Sequence, residues 1–203
     1  MTLRRRALIV TGLATVASPA FARAVKALPP KPGDMKLGSD KAPVQLVVYA
    51  SASCPHCAHW WTTELPKIRA SFIDTGKVKM VFREFLTPPQ EFAAAGFLLA
   101  RAVPGKYFEV LTTVFKAQAA IYESDHLFEG LQAIGKQFGL TDAQFKAALS
   151  DQKALDAVNA RFRRAMAEEQ VEVTPTFYVN GAPYEGEADF ATLSKVFALA
   201  AKG

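Results

Sequence analysis

Cysteine is the scarce residue of this chain: only Cys54 and Cys57 occur in 203 residues, and histidine occurs three times. Two cysteines exclude a fold stapled by several disulfides and a four-cysteine zinc site. His56 and His59 could complete a local ligand set, but ligands crowded into one short helical turn make poor tetrahedral geometry, so no metal is expected. Internal repeats and low-complexity tracts are absent, and so is any second apolar segment long enough to span a bilayer. The mature chain is expected to be soluble.

The one apolar stretch of note is N-terminal. Arg4-Arg5-Arg6 precedes an apolar run from Ala7 to Ala17, and Ala20-Phe21-Ala22 offers a small-residue cleavage site. That is the layout of a secretory signal peptide over residues 1–22, with the general and twin-arginine routes both open. Its removal takes three arginines and no acids, lowering the formal charge from +5 to +2. The basic balance therefore owes much to the leader and does not argue for nucleic acid. Export would deliver the chain to an oxidising compartment, the periplasm, where disulfides persist.

What is present is concentrated at Cys54-Pro55-His56-Cys57. A disulfide closing so short a ring removes little unfolded-state entropy, so the pair suits redox chemistry better than stapling. Val44 to Tyr49 is a β-branched apolar run expected to form a buried strand. The small polar turn Ala50 to Ser53 follows, with Ser53 as the expected helix N-cap and Pro55 in the first turn. Cys54 then sits at a helix N-terminus, where free N–H groups and the macrodipole favour a thiolate. His56 can add positive charge or a hydrogen bond, and Cys57, one turn further in, is expected to be the buried resolving thiol. Trp60 and Trp61 read as packing residues and His59 as a helix-surface residue.

The helical pattern continues to about Asp74, with Pro66 expected to kink or split it. Lys77 to Phe85 reads as a second strand, parallel to the first. Residues 89–170 are helical almost throughout, including a capping box at Thr141 to Gln144. Arg161-Phe162-Arg163-Arg164 reads as a solvated helix face, and His126 as a loop or cap residue. Thr176 to Val179, the Asn180-Gly181 turn and Ala182 to Glu185 form a hairpin, and Asp189 to Ala200 a closing helix.

This order, βαβ, a helical block, then ββα, resembles the DsbA-like thiol:disulfide oxidoreductases. The residues that carry the resemblance are Gly38 to Tyr49 (with Ala42-Pro43), Cys54-Pro55-His56-Cys57, Phe82 to Phe85, Val173 to Phe177, and Val179-Asn180-Gly181. Together they span essentially the whole mature chain. The resemblance implies an α/β fold, thioredoxin-like, with an all-helical domain inserted between the second and third core strands. The thioredoxin-like part would comprise residues 36–88 and 171–203, the insertion 89–170, and residues 23–35 an irregular lead-in.

The resemblance also implies site roles. Cys54, Cys57, His56 and Pro55 would be catalytic; Thr174 and a cis Pro175 would lie against the redox pair and bind substrate as an added strand. No cofactor is implied beyond the Cys54–Cys57 disulfide. Implied partners are unfolded or newly exported cysteine-containing proteins and a membrane oxidase that restores the disulfide; a monomer is expected, with no nucleic acid. Two positions depart from the family pattern. Thr174 stands where oxidases often carry valine, which favours a reductase or isomerase as the alternative. Val48 stands where many relatives place a buried acid, leaving Glu84 or water to accept the Cys57 proton. A thiol-dependent metal- or peptide-binding protein is the remaining, non-enzymatic reading.

Overall fold

The computed structural model describes residues 27–186 and 188–202. The expected leader, residues 1–22, lies outside them. Five strands form one mixed sheet: β1 (Met35–Leu37), β2 (Val44–Ala50), β3 (Val78–Glu84), β4 (Thr176–Val179) and β5 (Ala182–Tyr184), in the order β1-β3-β2-β4-β5. β2 and β3 are parallel, and the other pairs are antiparallel. All seven residues of β2 are buried, as a continuous apolar run with both faces covered requires. Val44, Leu46, Val48 and Ala50 face the larger core, with Trp60, Trp61, Met80 and Phe82. Val47 and Tyr49 face a smaller one, with Val81, Phe85, Ala165 and Val171.

Between β2 and β3 run α1 (Pro55–Thr63), α2 (Leu65–Ile68) and a π-helical turn, Arg69–Ile73. The helix is indeed split, but at Glu64, with Pro66 in the first turn of α2. There its missing N–H interrupts no ladder bond. Five helices separate β3 from β4: α3 (Gln90–Ala102), α4 (Tyr107–Ser124), α5 (Leu127–Gln137), α6 (Asp142–Leu149) and α7 (Gln152–Glu169). The capping box at Thr141 and Gln144 opens α6, and His126 is the N-cap of α5. The Asn180-Gly181 turn has φ of 48° and 89°, the left-handed pair a tight hairpin needs. α8 (Phe190–Ala200) closes the chain, its first turn capped by Asp189. The architecture is thioredoxin-like with a helical insertion.

Two features went unread in the sequence. β1 adds an antiparallel edge to β3, too short at three residues to show any alternation. The arginines at 161 and 164 are not simply solvated. Arg161 Nε donates to Glu84 at 2.7 Å and Arg164 to the carbonyl of Pro32 at 3.3 Å, while Phe162 packs edge-on against Phe85. They belong to a polar layer that fastens the lead-in to the sheet. Arg101 donates to the Gly33 carbonyl at 2.7 Å, and Arg83 to the Pro29 carbonyl at 2.8 Å and to Asp34 at 2.9 Å. Arg83 also reaches Tyr49 and Glu169, and Tyr49 in turn donates to Glu169.

Candidate active site

β2 delivers the chain to the turn Ser51–Ser53, and α1 starts at Pro55. The N-cap is Cys54, not Ser53: it has extended backbone angles (φ −83°, ψ 120°), and its sulfur accepts the Cys57 N–H at 3.4 Å. Proline at N1 explains the shift, because it makes the preceding residue the last extended one. The Ser53 hydroxyl turns away and donates to the Thr87 carbonyl at 2.6 Å, with Ser51 Oγ at 2.9 Å beside it. The loop after β3 is thereby tied to the redox turn.

The two thiols are free and differ sharply. Cys54 is 7% exposed and Cys57 1%. The Cys54 thiol is lowered to about 5, chiefly by a hydrogen bond from the Cys57 side chain. Burial opposes this, and the Thr174 side chain and the Cys57 and His56 backbone N–H groups add to it. His56 thus contributes through its backbone, and its ring lies exposed with that of Pro55. Burial, together with the charge of Cys54, pushes the Cys57 thiol far up. One sulfur is a ready nucleophile or leaving group, and the other is kept protonated.

The Thr174–Pro175 peptide is cis, and the Thr174 carbonyl lies 3.4 Å from Cys54 Sγ. The six residues singled out in the sequence thus meet at one place, Cys54, Pro55, His56 and Cys57 from the start of α1 and Thr174 and Pro175 from the entry to β4. Thr174 Oγ1 is buried without a well-aligned hydrogen-bond partner, yet it stands near enough to both sulfurs to favour their thiolates. Beside Pro175 opens a groove of about 470 Å³, walled by Trp60, Val173, Phe177 and Tyr184. Trp60 does pack, at 4.9 Å from the Phe177 ring, with its N–H held by the Ala188 carbonyl at 2.7 Å. It also presents one wall to the groove.

Glu84 does not serve Cys57. Its carboxylate accepts from Arg101 at 2.7 Å, Tyr107 at 2.8 Å and Arg161 at 2.7 Å, so its lone pairs are committed elsewhere. Val48 is fully buried in the main core. Among the described residues no group of three or more His, Cys, Asp or Glu side chains is placed to hold a metal ion. No described helix is long and apolar enough to cross a membrane.

Two residues of the insertion reach the redox turn unheralded. Gln118 Nε2 donates to the carbonyls of Ala52 (2.7 Å) and Cys54 (3.3 Å), and the Tyr122 hydroxyl to that of Ser53 (3.0 Å). The available signal was Gln118 itself, a polar side chain on the otherwise apolar stripe of Leu111, Val114, Phe115 and Ile121.

Comparison with known proteins gives a consistent neighbourhood. The profile of the family described as Thioredoxin matches residues 30–197. A putative protein-disulfide oxidoreductase of Rickettsia bellii is 30% identical over 152 residues, covering 75% of this chain and 59% of the relative. A probable disulfide bond formation protein D of Bacillus anthracis is 29% identical over 164 residues, covering 78% and 74%. Among solved structures, Wolbachia pipientis alpha-DsbA1 superposes with a TM-score of 0.77 at 25% identity, covering 85% of this chain and 93% of that one. The chain spans less than two thirds of the length of the rickettsial relative, 59%.

Proposed function

This chain belongs to the thioredoxin family and to its DsbA-like members, and from that premise we propose that it is a thiol:disulfide oxidoreductase that donates the Cys54–Cys57 disulfide to cysteine-containing proteins. The observation that carries the reading is the placement of Cys54 Sγ. It caps α1, with the Cys57 N–H at 3.4 Å, and faces the carbonyl of Thr174 at 3.4 Å, the residue before the groove-lining Pro175.

In the reaction a substrate thiolate attacks Cys54 Sγ of the oxidised pair. The Cys54–Cys57 bond breaks, Cys57 leaves with the bonding electrons and takes up a proton, and a mixed disulfide joins Cys54 to the substrate. A second substrate thiolate then attacks the substrate sulfur of that bond, and Cys54 departs as a thiolate. Two electrons have passed from the substrate dithiol to the cysteine pair. The α1 N-terminus does its work in this last step, since a leaving thiol of low pKa leaves faster and stabilises the reduced form. The committed carboxylate of Glu84 leaves water as the proton donor to Cys57.

An extended substrate segment would lie along Thr174 with a side chain in the groove, meeting backbone groups with no sequence preference of their own. An exported location, with reoxidation by a membrane oxidase, completes the proposal. The opposite direction, disulfide reduction, is the second reading, and it rests on the identity of residue 174, a threonine where oxidases often carry valine. The reduction potential against glutathione separates the two. A value at or above about −180 mV supports donation, and one near about −270 mV makes the protein a reductase.

A further inference from the structure

Resting on that reading of the site, we propose that Gln118 and Tyr122 of the helical insertion are positioning residues for Cys54, a clamp on the carbonyls of the redox turn that keeps the sulfur in its reactive thiolate form. The two side chains stand one turn apart on α4 and so share a face. Between them they take three consecutive carbonyls, Ala52, Ser53 and Cys54. Gln118 is 2% exposed and spends both hydrogens of its amide on the turn. The Cys54 carbonyl is reached twice, since it also accepts the Ala58 N–H at 3.0 Å.

Buried carbonyls need partners in any fold. Here, however, the carbonyl dipoles lie within two peptide units of a sulfur that must carry negative charge. Left unpartnered, their oxygens would oppose that charge, and the turn could relax away from the angles that aim the His56 and Cys57 N–H groups at the sulfur. Gln118 and Tyr122 neutralise the oxygens and hold the turn at those angles. The surroundings leave little slack. The Phe92 ring packs edge-on against Tyr122 at 5.1 Å, and a Cβ at Gly96 of α3 would sit 3.0 Å from Ala52 Cβ. The charge of Cys54 is felt at Tyr122, whose hydroxyl is raised to about 12 by burial first and by Cys54 second.

The test is the titration of Cys54, followed by thiolate absorbance in the full chain, together with the glutathione equilibrium constant. Three variants are compared: Tyr122→Phe, Gln118→Met and Leu131→Ala, the last removing buried packing on α5, whose side chains make none of the hydrogen bonds to the turn described above. Tyr122→Phe and Gln118→Met should each raise the Cys54 pKa by about half a unit, a roughly threefold loss in the equilibrium constant for oxidation of substrate. Leu131→Ala should lower stability and leave both readouts unmoved. Tyr122→Phe keeps the ring and its Phe92 contact, so it reports even if Gln118→Met folds poorly. A Tyr122→Phe protein that titrates like the parent, or a Leu131→Ala protein that shifts as far, overturns the proposal. A parent chain whose Cys54 titrates as an ordinary thiol overturns the reading of the site itself.

Discussion

Cys54 Sγ and the carbonyl oxygen of Thr174 face each other at 3.4 Å across 120 residues of sequence, and Thr174 is followed by Pro175, which lines the groove. This is the junction at which a substrate backbone and a reactive sulfur would meet, and the cysteine roles follow from it.

Cys57→Ser leaves Cys54, the more accessible of the two sulfurs, without its resolving thiol. Mixed disulfides through Cys54 should accumulate on a reduced, unfolded substrate, visible on non-reducing gels. Cys54→Ser should form none and lose all turnover. Adducts through Cys57 in the Cys54→Ser protein would reverse the assignment.

The Cys54 thiol is depressed to about 5 in the folded reduced state and lies near 9 as an ordinary thiol. A depressed pKa stabilises the fold above the unfolded value, and that stabilisation is lost as pH falls through the folded value. The disulfide form has no such group, and the Cys57 thiol, pushed up, adds an opposing effect only above the ordinary thiol range. The thermal midpoint of the reduced protein should therefore gain on that of the oxidised one between about pH 5 and pH 8.5. Equal gaps at both ends of that window would mean that Cys54 carries no special charge.

His56→Ala removes an exposed ring and keeps the backbone N–H that favours the thiolate. The Cys54 pKa, read from the pH dependence of alkylation, should rise by no more than about one unit. A larger rise would assign the main effect to the imidazole.

Arg83→Met strands the buried carboxylate of Asp34 and takes one partner from the half-buried Glu169, which keeps Lys31 and Tyr49. The Arg83 side chain is 6% exposed and pairs with Asp34 at 2.9 Å and Glu169 at 3.1 Å. Removing one partner of a buried pair costs about 3–5 kcal/mol, which the urea midpoint should register, with the reduction potential nearly unchanged. A loss below about 1 kcal/mol, the range of surface pairs, would mean that solvent reaches the network.

What could be read in advance follows the range of each signal. The strand from Val44, the turn and the helix from Pro55 are encoded locally, by β-branched residues, small polar residues and a proline in succession. The hairpin at Asn180-Gly181 and the capping box at Thr141 are equally local. The cap itself was misplaced by one residue, because serine is the stronger N-cap former in general and only the proline at N1 overrules it here. The contacts of Gln118 with Ala52 and of Arg83 with Asp34 cross 66 and 49 residues. No local pattern carries such pairings, and they become visible only once the insertion is packed on the sheet. Glu84 illustrates the same point. Its identity suggested a proton acceptor, and three donors from α3, α4 and α7 decide otherwise.

The sheet ends on both sides in strands of three residues, and the hairpin register gives the outer one a particular guard. Val179 with Ala182 and Phe177 with Tyr184 are the facing pairs that flank Pro183, so the nitrogen of Pro183 points outward, away from β4. An incoming strand finds no donor there. On the proposed function, in which the protein meets unfolded chains, such a rim would be poorly equipped to pair with copies of itself. Under that reading the surface at Thr174 would receive a client strand while the rim at Pro183 stays closed to a second copy, which separates client capture from self-assembly.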